Sequence, residues 1–307
     1  MKTIFFTGKG GVGKSTLSAA AAWQLAESGK RVLAISFDPA HNLGDIFGRT
    51  LGHKVTRFSA NLDLRETDLD EAAAEYIRRN TSILTEVYSY TKAFNLDRYF
   101  KVLRHSPGVE EYAALTALED LLRTSDDYDV VVIDTPPTGL TLRILALPRI
   151  SITWVDRLRR IRRDILDKRH TVHSITGTFS EEGQKLAYEE KDDRVMQKLT
   201  ELFDRYVAVA RHLESDANRV AVVFNPDYLS LRESQRILDG LSDLNLGVNV
   251  AFNNKYTQGL SEIADSMERE LFDGRDAPPP VHRIPWEPYR REKSYEISYD
   301  LTQLFAL

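Results

Sequence analysis

Six short apolar runs stand out against a charged, otherwise helix-patterned background. They are Thr3–Thr7, Val32–Phe37, Val130–Ile133, Val220–Phe224, Val248–Phe252 and Val281–Ile284. Each is β-branched and lacks polar alternation, which predicts strands covered on both faces. Between them the period changes to that of helices. Thr16–Ser28 is alanine-rich and stops at Ser28-Gly29, and Ser230–Leu241 carries Asp239-Gly240 near its end. Strand alternating with helix predicts an α/β fold: a doubly wound, mostly parallel sheet.

Two stretches, 66–126 and 150–218, carry no strand signal and are charged and helical in period. In the second, Val195, Leu199, Leu202, Tyr206, Val209 and Leu213 recur at spacings of 4, 3, 4, 3 and 4, one face of a helix. These stretches predict a helical subdomain inserted into one domain spanning 1–307. Ala277-Pro278-Pro279-Pro280 reads as a short rigid connection into the last strand. No internal repeat is visible.

Composition narrows the functional classes. The net charge of −5 over 307 residues gives no global support for nucleic-acid binding. With no cysteine, disulfides, thiolate zinc, iron–sulfur clusters and thiol metalloid sites are excluded. No apolar run reaches the roughly 18 residues of a membrane span, and the N-terminus lacks a signal-peptide pattern. The simplest expectation is a cytoplasmic protein.

The first strand leads directly into Gly8-Lys9-Gly10-Gly11-Val12-Gly13-Lys14-Ser15, with Thr16 opening a helix. Four glycines and two lysines in eight residues ask for an anion. This is G-x-x-x-x-G-K-[ST] between a strand and a helix. Glycines let successive N–H groups turn inward, the helix adds its positive end, Lys14 reaches the β- and γ-phosphates, and the Ser15 hydroxyl is placed for Mg²⁺. The fold is therefore expected to be a P-loop NTPase sheet. Lys9, one residue after the first glycine, marks the deviant form of the loop, in which this lysine reaches a partner subunit's nucleotide as an arginine finger does. Beyond the next two strand ends lie Asp38, suited to orient the attacking water, and Asp134, suited to hold Mg²⁺ directly or through water. His41 reads as a packing or hydrogen-bonding residue, since no second ligand stands at metal spacing.

With GKGGVGKST, DPAHNLGD after the second strand and DTPPTGLTLRIL after the third, the chain resembles the arsenite-pump and guided-entry ATPase family. The likeness continues through Tyr228-Leu229-Ser230-Leu231-Arg232-Glu233, Asn253 and Ile284-Pro285. It implies ATP with Mg²⁺, Asp38 as the catalytic aspartate, Lys9 acting across a homodimer, and Asn253 and Pro285 at the adenine. An Asn amide suits an adenine edge, and Asn254-Lys255 lacks the Asp of a GTP box, since Thr257 stands there.

The chain also departs from that family. The guided-entry Cys-x-x-Cys pair is missing, so no zinc is expected across the dimer, and the arsenite-pump thiolates are missing too. One phosphate loop means that a second copy must supply the other half. Only three methionines, at 1, 196 and 267, are present for an apolar client groove. The expected output is capture and release of a hydrophobic or membrane-protein client. The alternatives are an ATPase subunit of an anion efflux pump, or a surface-binding positioning ATPase like the Min and Par partition enzymes. For the last, with its transient membrane association, the run Arg157-Leu158-Arg159-Arg160-Ile161-Arg162-Arg163 is the one hint; its bland reading is a solvated helix face.

Overall fold

The computed structural model describes residues 1–38, 40, 42–69, 71–76, 78, 108–177, 180–181, 184–185, 187–275, 277–287 and 293–305. The expectation for His41 lies outside these residues.

Successive side chains of β1 (Lys2–Gly8) point to opposite faces, and both faces are buried. Phe5 enters one apolar layer, while Ile4 and Phe6 enter the other. The same split runs through β2 (Val32–Ser36), β5 (Val130–Asp134) and β8 (Asn218–Phe224), which explains why none of these segments alternates in polarity. The eight-stranded sheet also contains β3 (Thr56–Arg57), β4 (Leu62–Glu66), β9 (Val250–Tyr256) and β10 (Val281–Pro285). Its order is β10-β9-β8-β1-β5-β2-β4-β3, parallel throughout except for β3 against β4. This is the doubly wound α/β sheet the alternating pattern predicts.

On one face lie α1 (Lys14–Glu27), α2 (Asn42–Phe47) and the C-terminal residues Tyr295, Leu301 and Phe305. The run Ala19–Ala22 is fully buried. Side chains this small let the helix backbone approach the strands closely, which fixes where its first turn sits. On the other face pack α3 (Val109–Thr124), α4 (Thr138–Thr176), α5 (Arg194–Leu213), α6 (Tyr228–Asp243) and α7 (Ser261–Phe272).

Three readings are corrected here. The sheet is wider than expected, because β3 and β4 were not foreseen. The stretch 150–218 is not a separate insertion at its start: α4 leaves the β5 edge at Thr138 and runs 39 residues without a break, passing through Pro148. It also holds a two-stranded ribbon, β6 (Ser180–Glu181) with β7 (Gln184–Lys185). Finally, the arginine run is a solvated face at Arg157, Arg160 and Arg163 but not at Arg159 and Arg162. Arg162 makes two hydrogen bonds, of 3.0 and 2.7 Å, to Asp193, which itself caps α5 by accepting from Met196 N. Arg163 pairs with Glu190, Arg160 with Asp156, and Arg159 stacks on Phe203. Arg159, Arg162 and Arg163 thus tie α4 to its neighbours, while Arg160 pairs within α4. The apolar stripe of 195–213 is core, as Tyr206, Val209 and Leu213 are buried against the sheet layer.

Candidate nucleotide site

The loop between β1 and α1 is shaped by two glycines that no other residue could replace without movement. Gly8 pairs with Val223 across the β1–β8 ladder, and a Cβ there would lie 2.2 Å from the Val223 carbonyl oxygen. Gly13 sits at φ +101°, and its Cβ would lie 2.3 Å from the Asn254 amide nitrogen. Gly13 is also the N-cap of α1 and offers no side-chain cap, so the first N–H groups of the helix remain available to an anion. Gly10 and Gly11 are exposed, Val12 is buried, and Ser15 and Thr16 are half-buried at the helix start.

Lys14 is buried within this arch, and its Nζ donates to the Lys9 carbonyl at 3.2 Å. Burial draws its ammonium below the usual lysine range, opposed by the negative charges of Asp134, Asp38 and Glu233. The lysine thus stands ready to trade a carbonyl contact for phosphate.

The adjacent strand ends bring the acidic residues to the same edge. In the β2–β5 register Ser36 faces Asp134, and the Ser36 hydroxyl donates to Asp134 Oδ2 at 3.4 Å. Burial pushes Asp134 up to about 7, against the pull of the Ser15 hydroxyl and Lys14. Its Oδ1 is buried and has no hydrogen-bond partner. A buried carboxylate oxygen left open beside a hydroxyl suits a hard cation. Among the described residues no group of three or more His, Asp or Glu could hold a metal alone. Ser15 and Asp134 are therefore the residues that would hold a Mg²⁺ at this edge. Asp38 is half-buried just beyond β2; its N–H donates to Ser36 Oγ and its Oδ1 accepts from Ala40 N at 3.0 Å. Glu66, at the end of β4, accepts from Gly44 N at 2.8 Å and so holds α2, the helix of the DPAHNLGD segment. Lys9 Nζ stands 3.9 Å from Asp227 at the start of α6.

Beside the loop opens a cleft of roughly 350 Å³, walled by Ile46, Asn254, Lys255, Ile284, Pro285 and Trp286, with Gly13 and Thr16 at its inner end. Its apolar walls next to a phosphate cradle suit a base. Pro285 is among its walls. Asn253 is not: its amide is fully buried and donates to Glu268 on α7 at 2.6 Å, and the next residue, Asn254, faces the cleft. Neighbouring strand residues point to opposite faces, so a one-residue difference changes sides. Sequence reading passed over Asn254, Lys255, Trp286 and Glu66. The one available signal was the polar Asn-Asn-Lys at the carboxyl end of a strand, the edge where such sheets bind ligands.

A parallel sheet with a glycine loop feeding a helix, and two acidic strand ends beside it, defines a P-loop nucleotide-binding protein. The profile of the anion-transporting ATPase family matches residues 1–269, and the chain belongs to that family of ATPases. Among its relatives is an Aquifex aeolicus protein provisionally named an arsenical pump-driving ATPase, 29% identical over 256 residues, 83% of this chain and 80% of that one. A provisionally named arsenical pump-driving ATPase of Chlorobaculum tepidum is 30% identical over 261 residues, 83% of this chain but 61% of its own length. An ATPase ASNA1 homolog of Dictyostelium discoideum is 29% identical over 282 residues, 89% of this chain and 79% of that one. The chain thus spans about three fifths of the Chlorobaculum relative. Among the described residues no helix is long and apolar enough to cross a membrane.

The raised Asp134 carries a consequence for stability. A carboxyl whose folded-state pKa exceeds its unfolded one stabilises the fold fully below the unfolded value of about 3.9, and that contribution is lost as pH rises through about 7. With chelator and no nucleotide, the thermal midpoint of the wild type is expected to fall relative to Asp134→Asn between pH 5 and 8. Parallel curves across that range would contradict the assignment of a strained, cation-seeking carboxylate.

Proposed function

We propose that the protein is a Mg²⁺-ATP-driven homodimeric switch of the cytoplasm that captures and releases an apolar helix of a client protein. ATP lies along the loop with its base in the cleft of Pro285 and Trp286. The loop amides and Lys14 bind the triphosphate, and Ser15 and Asp134 would hold Mg²⁺, which would supply neutralisation of phosphate charge. Asp38 orients the attacking water and accepts its proton as the water oxygen bonds to the γ-phosphorus and the bond to the β,γ-bridging oxygen breaks, releasing ADP and phosphate. Lys9 leaves Asp227 and reaches the partner's γ-phosphate, where positive charge opposes the charge developing in the transition state.

The observation that carries the client reading is the outer face of α4. Ile150, Trp154, Leu158, Ile161 and Ile165 are all more than a third exposed, Trp154 at 63%, at spacings of 4, 4, 3 and 4; Ile175, 78% exposed, continues the line. From 150 to 175 the stripe runs about 38 Å at 1.5 Å per residue, enough to cover a helix made for a bilayer core of about 30 Å. Exposed apolar stripes of this extent mark interaction surfaces. The same helix begins at the DTPPTGLTLRIL segment, so a change at the γ-phosphate is transmitted along one rigid element.

A second reading, energising an anion pump, is favoured by the names of the Aquifex and Chlorobaculum relatives. It predicts ATPase stimulation by an oxyanion without thiols to bind a metalloid. The surface-binding positioning reading keeps a reduced hint, since Arg162 is bonded to Asp193 while Arg157, Arg160 and Arg163 remain exposed.

The mechanism is tested by Asp38→Asn and Lys9→Ala. Asp38→Asn is expected to bind ATP near wild-type affinity while kcat falls by about a hundredfold or more; normal turnover removes Asp38 from the water. Lys9→Ala is expected to lose hydrolysis together with ATP-dependent dimers in light scattering, and dimers that persist unchanged would remove its role across the interface. For the client, Asp38→Asn loaded with ATP is incubated with a 20-residue apolar helical peptide. The peptide is expected to bind, and the Trp154→Glu, Ile161→Glu double variant is expected to lose it; equal binding by both would discard the α4 surface.

A further inference from the structure

A loop can aim its N–H groups at an anion only if its carbonyl groups are satisfied elsewhere. Two of them are claimed by consecutive residues at the carboxyl end of β9. Asn254 Nδ2 donates to the Val12 carbonyl at 2.7 Å, and Lys255 Nζ donates to the Gly11 carbonyl at 2.8 Å. Asn254 is 9% exposed, so its bond to Val12 lies out of competing water. A Cβ at Gly13 would lie 2.3 Å from this amide nitrogen, so a side chain there would have to displace it.

Lys255 makes its bond from an unusual backbone. Its φ is +56°, in the left-handed region that residues other than glycine enter at a cost. A glycine would relieve that strain, yet a lysine stands there with its ammonium on the loop. Both residues also wall the cleft assigned to the base. A base that presses on this wall presses on the side chains that hold the loop.

We propose that Asn254 and Lys255 are positioning residues that hold the phosphate loop open as a preformed cradle and join it to the base cleft. This rests on the nucleotide reading above. The structure of the loop itself distinguishes it from simple base recognition, since both bonds go to main-chain carbonyls rather than into the cleft.

Inorganic tripolyphosphate separates the two roles, because it fills the cradle and leaves the base cleft untouched. Binding of tripolyphosphate and of ATP, each with Mg²⁺, is measured by calorimetry for the wild type, Asn254→Ala, Lys255→Gly and Lys255→Arg. Asn254→Ala and Lys255→Gly are expected to weaken both ligands by similar factors, roughly three- to tenfold for one lost hydrogen bond. Lys255→Gly is expected to do so without lowering the thermal midpoint of the unliganded protein, since it relaxes the backbone. Lys255→Arg, which keeps a cation in reach, is expected to recover most of the affinity. Tripolyphosphate affinity unchanged in both weakened variants would overturn the proposal in favour of base contact alone. Affinity falling only in step with a lowered midpoint would overturn it in favour of a structural role. A wild type that binds neither ligand would instead sink the nucleotide reading itself.

Discussion

A polyanion held by peptide N–H groups constrains everything around it, because each inward amide commits a carbonyl to point outward. Here those carbonyls are answered by Lys14 on Lys9, Lys255 on Gly11 and Asn254 on Val12. The loop therefore cannot be understood from its own eight residues. Its shape is set by β9, two strands away across the sheet, and by β8, whose Val223 carbonyl leaves no room for a side chain at Gly8. The order β9-β8-β1 is what brings these parts together, and the fold is in this sense a frame for one arch of backbone.

The opposite side of the arch is electrostatic. β5 and β2 end in register, which sets Asp134 beside Ser36 and brings Asp38 to the same edge. Without ligands the arrangement is uncomfortable: a buried carboxylate with an open oxygen, a second carboxylate nearby, and a buried lysine. A cation held with phosphate would relieve all three, with Asp134 toward the cation and Lys14 toward the phosphates. Discomfort of this kind at a functional site is the expected trade against stability.

Much of this was legible in the chain because its signals are chemical. The strands covered on both faces are continuous apolar runs, and the loop is a run of glycines with its lysine and serine at fixed spacing. What was not legible depends on geometry. β4, Leu-Asp-Leu-Arg-Glu, lies toward the edge of the sheet and alternates between buried and half-buried positions, so its polar residues read as loop. β9 extends past its apolar core into Asn-Asn-Lys, residues with little preference for strands, and its end was cut short. That shortening hid the clamp. The resemblance names Asn253 for the adenine, yet the strand's two-residue period turns Asn253 to Glu268 and Asn254 to the loop and the cleft.

The continuity of α4 bears most on function. Pro148 removes one helical hydrogen bond and would ordinarily suggest a boundary, separating the DTPPTGLTLRIL segment from the charged stretch that follows. In the fold the helix passes through it, with Ile144, Leu145 and Leu147 buried just before and Val155 just after. Packing on both sides of the proline thus holds what the local backbone would release. A helix fixed at one end by the strand carrying Asp134 and fastened further along by Arg162 to Asp193 does not bend freely between them. A shift of its first turn that also loosened the Arg162–Asp193 pair would then move the apolar stripe rather than be absorbed within the helix. On the proposed reading, a change of one phosphate at the sheet edge would reach the exposed apolar stripe along this one helix.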